Sequence, residues 1–336
     1  MLSMHGLRSE YEIISSWKSD LERPLVSVCC ITYNHKDFID DAIKSFLNQE
    51  TDYPIEILIH DDASTDGTTD KIREYQVRYP KIIKTVLQVD NILSKGMSPF
   101  SGVLLPMAAG KYIAICEGDD YWIEREKLSI QVTRLERDEN SSFVFSPALV
   151  INQDGLILHT RNTYPPKIEN KIDFQWILHK GGGFYPTATV LIRRSVLMNN
   201  FWMLQYGVGD YSIALCAALS GKGAYISKPT AAYRIHEGGI TRGKSLKLIY
   251  DIHKTQSNLF LELKNNNLIS NDVFKEMVNK ETYMCAGRLA FSGRYRESLE
   301  FIKQGKVTTY YFTKYLLKLA QIFLTKPRGQ RGTIWK

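Results

Sequence analysis

The run Tyr112-Ile113-Ala114-Ile115-Cys116, followed at once by Glu117-Gly118-Asp119-Asp120, decides the fold that this sequence predicts. A short apolar run is typical of a buried strand, and the acidic residues come where that strand would end. Open α/β sheets bind their ligands at the carboxyl ends of the strands. Clustered carboxylates repel each other unless a cation lies among them, and Mg²⁺ or Mn²⁺ prefers such oxygen ligands. A solvated acidic turn that caps a helix beginning near Glu124 is the alternative, and this motif alone leaves both open.

A second acidic turn follows a second strand-like run. Ile55-Glu56-Ile57-Leu58-Ile59 leads into His60-Asp61-Asp62-Ala63-Ser64-Thr65-Asp66-Gly67-Thr68, after which a helical pattern begins. A helix cap explains one polar side chain of this turn, but it leaves the Asp61-Asp62 pair unexplained. An Asp accepts hydrogen bonds from a ring N–H or a ribose hydroxyl, so this turn can hold a nucleoside while the other holds its phosphates. Together the two turns indicate a metal–nucleotide site.

Strand-like and helix-like patterns alternate along the chain. Strands are predicted at 25–33, 55–60, 82–87, 111–116, 143–151 and 186–193, and helices near 37–48, 67–79 and 124–137. Alternation of this kind predicts a parallel, doubly wound α/β sheet. Residues 244–305 have a helical pattern and are expected to form a separate extension.

The motifs resemble those of a known enzyme family. Three stretches are similar in order and spacing to the motifs of family 2 glycosyltransferases. They are Pro24-Leu25-Val26-Ser27-Val28-Cys29-Cys30-Ile31-Thr32-Tyr33-Asn34, Asp61 to Thr68, and Glu117-Gly118-Asp119-Asp120-Tyr121-Trp122 with Lys127-Leu128. The resemblance covers residues 24–240 and is strongest to the bacterial surface-polysaccharide type. It implies a GT-A fold, which is a Rossmann-like, mostly parallel sheet flanked by helices, here with a C-terminal helical extension. It also implies a nucleotide-sugar donor and Mn²⁺ or Mg²⁺ as cofactor.

The resemblance assigns roles to individual residues. Asp119 and His236 are expected to ligate the metal, and Asp120 and Arg234 are candidates for contact with phosphate or acceptor. The nucleotide-binding residues are expected to be Thr32, Tyr33, Asn34, Asp61, Asp62, Glu117 and Gly118. Glu117 takes a position that is often Asp in relatives, and its extra methylene favours contact with ribose or metal-bound water over direct ligation.

Asp210 is the candidate catalytic base. It lies in Gly209-Asp210-Tyr211-Ser212, just before an apolar helical run, and the residues alone are equally typical of an acid at a helix N-terminus. In the resembled family an Asp here deprotonates the acceptor hydroxyl, although many relatives have an acidic pair where this chain has Gly209. The mechanism implied is inverting transfer, from a UDP-sugar by preference, to a glycan or lipid-linked acceptor.

Two other classes of protein share some of these features. A sugar-1-phosphate nucleotidyltransferase also uses a nucleotide and a metal, but it opens with a Gly-rich basic loop, whereas the first strand here ends in Thr32-Tyr33-Asn34-His35. A non-catalytic nucleotide- or glycan-binding module remains the other alternative.

Composition is that of a globular protein, with 44% hydrophobic and 24% charged residues. Five cysteines without CxxC spacing favour reduced thiols and a cytoplasmic location over a disulfide framework. No signal peptide or membrane-spanning run is recognised. We expect an N-terminal extension at 1–23, a GT-A domain at 24–240, a helical extension at 241–305 and a basic tail at 306–336.

The tail carries the excess positive charge. Residues 301–336 contain eight Lys or Arg and no Asp or Glu, while the whole chain has a net charge of +7. Phe312, Leu316, Leu319 and Phe323 have helical spacing, which predicts an amphipathic helix on an anionic membrane at the inner face of the cytoplasmic membrane. A helix packed on the domain is the alternative. Nucleic acid is not expected as a partner, because the remaining chain offers no basic groove.

Overall fold

The computed structural model describes residues 7–18, 23–165, 168, 171–206, 209–239, 246–305 and 307–325. The chain divides into two compact units. The first comprises Met1–Gln205 and Ile213–Gly238, and the second comprises Tyr206–Ser212 and Gly239–Lys336.

A seven-stranded sheet forms the centre of the first unit. Its strands are β1 (Val26–Thr32), β2 (Ile55–Asp61), β3 (Ile83–Leu87), β4 (Tyr112–Ile115), β6 (Ser141–Phe145), β9 (Leu191–Arg193) and β10 (Lys222–Tyr225), in the order β10-β6-β9-β4-β1-β2-β3. β1 is parallel to both β2 and β4, and only β9 runs against its neighbours. The mostly parallel sheet expected from the sequence is therefore present, and the predicted strand at 186–193 is shorter because Thr187–Thr189 form a 3₁₀ turn.

Register places the two acidic turns side by side. Thr32 at the end of β1 is opposite Asp61 of β2, and Cys29 is opposite Ile115 at the end of β4. All three strands are buried because apolar residues fill both faces, which is typical of the centre of an α/β sheet. The carboxyl ends of these strands therefore meet at one edge of the sheet.

Helices cover the sheet and connect its strands. They are α1 (Glu10–Ser16), α2 (Ile39–Leu47), α3 (Thr68–Arg78), α4 (Leu105–Met107), α5 (Lys127–Glu136), α6 (Phe174–Lys180), α7 (Arg194–Asn199) and α8 (Gly209–Ala218). Ile13 of α1 is buried in the same core as β1 and β2. α3 begins after Gly67, whose φ of 100° suits glycine, and the carboxylate of Asp66 accepts a hydrogen bond from the Thr68 amide.

A second, four-stranded sheet was not expected from the sequence. It contains β5 (Tyr121–Trp122), β7 (Ala148–Asn152), β8 (Ile157–Arg161) and β11 (Ala231–Ile235), in the order β5-β11-β7-β8. The strand predicted at 143–151 is two strands, because Pro147 lacks an amide hydrogen and separates β6 from β7. β11 pairs in parallel with β7 and antiparallel with β5, and this brings the residues after β11 beside the turn between β4 and β5.

The described part of the second unit between residues 246 and 325 is helical. It contains α9 (Leu246–Asn265), α10 (Asn271–Phe291), α11 (Tyr295–Gln304) and α12 (Thr309–Thr325). Its core includes Cys285, Leu289, Phe301 and Ile302.

Helix α12 packs into that core. Tyr315 and Leu319 are buried, Phe312 contacts the same cluster, and the Tyr315 hydroxyl lies 2.5 Å from Oγ of Ser298. The face predicted to enter a membrane is therefore partly an intramolecular contact, which corrects the expectation for Phe312 and Leu319. Leu316 is exposed as predicted, and the side chain of Phe323 lies outside the described residues.

All five cysteines are buried and free. No helix in the described ranges combines the length and apolar character that crossing a bilayer requires.

Candidate active site

The turn after β4 presents one carboxylate to two imidazoles. Oδ2 of Asp119 lies 3.0 Å from Nε2 of His236 and 3.7 Å from Nε2 of His35. His236 follows β11 and His35 follows β1, so three separate loops contribute one side chain each. The ligand atoms of these residues all lie within 4.8 Å of one another. We call Asp119, His236 and His35 the Asp-His-His cluster.

The spacing of the Asp-His-His cluster fits a divalent cation. Metal–ligand bonds of about 2.1 Å place neighbouring ligands about 3.0 Å apart in an octahedron and about 3.4 Å apart in a tetrahedron. The two measured separations, 3.0 and 3.7 Å, are close to these values. His35 was missed from the sequence, because a single His after a strand is usually structural.

Electrostatics keep the Asp119 carboxylate charged. Burial alone would raise its pKa, but the hydrogen bond with His236 and the charges of the two imidazoles outweigh burial, and the pKa of Asp119 is lowered. The pKa of His35 is also lowered, because burial disfavours the imidazolium more than Asp119 favours it. The cluster therefore holds an anionic oxygen and a neutral imidazole, which are the forms that bind metal.

Phe38 and Arg234 fix the position of His236. The Phe38 ring lies 4.7 Å from the His236 ring and 4.8 Å from the Arg234 guanidinium. Nη2 of Arg234 donates to Asp41, and its Nε and Nη1 donate to the backbone oxygens of Asp119 and Gln153. These contacts use three of the five N–H donors of Arg234 within the protein, and its predicted contact with phosphate or acceptor stays a prediction.

The Asp120 side chain is buried and contacts the backbone of β11. It is 3% exposed, and its Oδ1 accepts a hydrogen bond of 2.8 Å from the backbone amide of Arg234. Burial raises the pKa of Asp120 well above its usual range, and the charges of Asp119 and Glu117 act in the same direction. Asp120 thereby links the turn to β11, and its predicted contact with phosphate or acceptor stays a prediction.

Gly118 is required by a close approach to β1. Its amide donates to the Ile31 carbonyl, and a Cβ at this position would lie 2.7 Å from Oγ1 of Thr32. Thr32 is buried with no hydrogen bond to its hydroxyl among the described residues. Thr32 and Gly118 are buried between the two acidic turns, and Glu117 is half-buried beside them.

The turn after β2 is organised by side-chain hydroxyls. The carboxylate of Asp61 accepts hydrogen bonds from Ser64 and Thr69. Asn34 has a φ of 56°, its amide donates to Ser64, and its own Oδ1 accepts from the Thr65 amide. Asn34 thereby ties the end of β1 to this turn.

The remaining predicted nucleotide contacts differ in exposure. Tyr33 is 46% exposed and is available to a ligand. Asp62 is buried, and its two oxygens accept from the amides of Ile92 and Leu93. Asp62 therefore orders the neighbouring loop.

Asp210 lies in the first turn of α8 and belongs to the second unit. Its predicted role as the catalytic base stays a prediction.

The model of glycosyl transferase family 2 matches residues 27–201 of this chain. The chain therefore belongs to glycosyl transferase family 2, and the family and GT-A fold predicted from its motifs are confirmed. The predicted enzyme class, glycosyltransferase, is confirmed with them.

Individual proteins show the same likeness. The uncharacterized protein Rv1520 of Mycobacterium tuberculosis is 33% identical over 215 residues, which cover 64% of this chain and 60% of that protein. The UDP-Glc:alpha-D-GlcNAc-diphosphoundecaprenol beta-1,3-glucosyltransferase WfaP of Escherichia coli is 29% identical over 67% of this chain and 83% of WfaP. This chain matches about 60% of the length of the first of these relatives.

Among solved structures, S. aureus TarS in complex with UDP-GlcNAc superposes with a TM-score of 0.58 at 17% identity. The match covers 88% of this chain and 80% of the solved TarS chain, which comprises TarS residues 1–349. At that identity the likeness shows a shared fold.

Proposed function

We propose that the protein transfers a sugar from a nucleotide-diphosphate donor to an acceptor hydroxyl, with inversion at the anomeric carbon and with help from a divalent metal. The Asp-His-His cluster carries this proposal, because residues that could hold a metal ion lie at the same sheet edge as the turn that contains Asp61. When bound, the cation neutralises the charge that develops on the departing diphosphate. Asp119 and His236 would hold it.

The donor is proposed to be a UDP-sugar. Asp61, held by two hydroxyls, would accept a hydrogen bond from the base ring, and Tyr33 at the rim would contact the base. The name of WfaP specifies UDP-Glc, and TarS was crystallised with UDP-GlcNAc, which supports this choice of nucleotide.

Asp210 is proposed to act as general base. It would remove the proton of the acceptor hydroxyl as that oxygen attacks the anomeric carbon from the face opposite the diphosphate. Departure of the nucleoside diphosphate breaks the old bond, so a product of inverted configuration forms without a covalent enzyme intermediate. The beta-1,3 product in the name of WfaP supports this stereochemistry for a UDP-Glc donor.

The acceptor is proposed to be a glycan or lipid-linked sugar of bacterial surface polysaccharide. The diphosphoundecaprenol acceptor in the name of WfaP supports a lipid-linked substrate. The basic tail supports binding to the inner face of the cytoplasmic membrane, and α12 still exposes Leu316 and Leu317 beside Lys314.

Replacement of Asp210 by Asn tests the reaction. Turnover with a UDP-sugar and Mn²⁺ should fall by about 10²–10⁴-fold, because general-base help is lost, while donor binding measured by calorimetry should stay unchanged. Asp272→Asn is the matched control, because Asp272 is also a first-turn helix acid and is exposed. Near-normal turnover by Asp210→Asn would place the base elsewhere, and equally tight UDP binding in excess EDTA would contradict the metal role.

The membrane role is tested on the full chain. Replacing Lys314, Lys326, Arg328, Arg331 and Lys336 by Gln should abolish sedimentation with anionic vesicles at low salt, because each basic group near the surface contributes about 1 kcal/mol. Deleting α12 is unsuitable, since Tyr315 and Leu319 belong to the core of the second unit. Unchanged sedimentation of the charge variant would contradict electrostatic docking.

A further inference from the structure

His35 lies where a third metal ligand would be. Its Nε2 faces Oδ2 of Asp119 at 3.7 Å, and its ring lies 5.8 Å from the ring of His236 at nearly right angles. The family motifs assign Asp119 and His236 to the metal, and they leave His35 without a role.

The position of the His35 ring is not explained by hydrogen bonds within the protein. The distance of 3.7 Å to Asp119 exceeds a normal hydrogen bond. Nδ1 is buried and has no hydrogen-bond partner among the described residues. Buried polar atoms are usually paired, so hydrogen bonds among the described residues do not account for the placement of this ring beside Asp119.

The backbone holds His35 firmly in this place. Its amide donates to Oγ1 of Thr68 over 2.9 Å, and its carbonyl accepts from the amides of Phe38 and Ile39 at the start of α2. Thr68 in turn donates to Asp66 of the β2 turn. The side chain therefore projects from a fixed loop rather than from a mobile one.

We infer that His35 is the third protein ligand of the metal, and that the resulting set of two imidazoles and one carboxylate selects transition-metal ions over Mg²⁺. This inference rests on the metal role in the proposed function and deepens it. Imidazole suits later transition-metal ions such as Co²⁺ and Zn²⁺, whereas Mg²⁺ prefers oxygen ligands and retains its waters. Three ligands from three loops leave further coordination positions open for the oxygens of the donor diphosphate.

The test measures ion binding without nucleotide or turnover. Calorimetry with Co²⁺ and with Mg²⁺, on the full chain freed of any histidine tag, gives the affinity of each ion and their ratio. Wild-type protein should bind Co²⁺ at least about 10-fold tighter than Mg²⁺. His35→Gln should weaken Co²⁺ binding by about 10–100-fold and change Mg²⁺ binding less, since the lost group is an imidazole.

Two further variants make the result specific. His159→Gln is the matched control, because it removes an exposed imidazole outside the Asp-His-His cluster and should leave both affinities unchanged. His35→Asp replaces nitrogen by oxygen, and it should shift the preference toward Mg²⁺. Thermal unfolding of each variant in EDTA verifies the fold, and His35→Asp serves as the test if His35→Gln does not fold.

The outcomes separate this inference from the proposed function. Wild-type Co²⁺ affinity in His35→Gln, or an equal loss for both ions, overturns the role of His35 even if Asp119→Asn abolishes binding. A wild-type protein that binds UDP-sugar but neither ion overturns the metal role itself, and the inference with it.

Discussion

The two Asp-Asp pairs of this protein look alike in sequence, and in each pair the two carboxylates accept hydrogen bonds from different kinds of donor. In Asp61-Asp62 and in Asp119-Asp120, the first carboxylate accepts hydrogen bonds from side chains. The second accepts backbone amides from a distant segment, Ile92 and Leu93 in one case and Arg234 in the other. The second Asp of each pair thus holds a distant segment in place, and the first is bound by side-chain donors of the site loops.

The first members differ in the chemistry of their partners. Asp61 is surrounded by hydroxyls, which keep it a hydrogen-bond acceptor, whereas Asp119 is surrounded by imidazoles, which can share a cation with it. The same motif therefore serves two purposes, and neighbouring residues decide which one.

The largest effect is expected within the Asp119-Asp120 pair. Asp119→Asn should lower metal-dependent turnover by about 10³-fold, because several kcal/mol of charge stabilisation is lost with the metal. Asp120→Asn should lower it less than about 10-fold, since an amide oxygen still accepts from Arg234. Steady-state rates in saturating Mn²⁺ compare the two variants. Equal losses of turnover would contradict the different roles proposed for Asp119 and Asp120.

A smaller effect is expected within the Asp61-Asp62 pair. Asp62→Ala should reduce the free energy of unfolding by about 1–3 kcal/mol, because two amides of the neighbouring loop lose their acceptor. Asp61→Asn should weaken UDP binding by about 10-fold or more with less effect on unfolding. Urea denaturation and calorimetry measure the two quantities, and a reversed pattern would contradict the comparison.

A third effect concerns two buried basic residues, Arg234 and Lys127. Arg234 is paired with Asp41, whereas Nζ of Lys127 has Gln131 and the face of Trp122 as partners. Burial lowers the pKa of Lys127 to about 7, and the nearby Cys116 opposes this shift only in part. Between that value and the usual pKa of lysine, the unfolded chain holds a proton that the folded protein lacks, so folding stability rises with pH.

Lys127→Met should remove this dependence. From pH 7 to pH 10 the stability of the wild type relative to the variant should rise, by at most about 1.4 kcal/mol per pH unit. Urea denaturation at several pH values gives the difference. Parallel profiles for the two proteins would show that Lys127 keeps its proton when folded.

The sequence predicted both acidic turns and their proximity, because apolar runs that end in Asp are a local signal and parallel strands align their carboxyl ends. The orientation of each carboxylate could not be predicted in the same way. Asp120 faces the amide of Arg234, which is more than a hundred residues away, and that contact depends on β5 and β7 pairing with β11.

Three other features depended on tertiary context. Pro147 separates β6 from β7, which joins a different sheet, although the apolar residues on both sides of Ser146-Pro147 had predicted a single strand. His35 became a candidate ligand only when His236 and Asp119 were placed beside it. The amphipathic pattern of α12 showed an apolar face, but whether that face met lipid or the helices α10 and α11 depended on the packing of those helices.

The burial of all five cysteines has a practical consequence for labelling. Burial raises the pKa of every one of these thiols, so maleimide reagents, which react with thiolates, should leave the native protein unmodified. A cysteine introduced at the exposed Leu317 would then carry a fluorophore at one defined position. The emission of such a dye reports directly whether α12 enters a lipid interface. The protein without the introduced cysteine, treated with the same reagent, is the control for unspecific labelling.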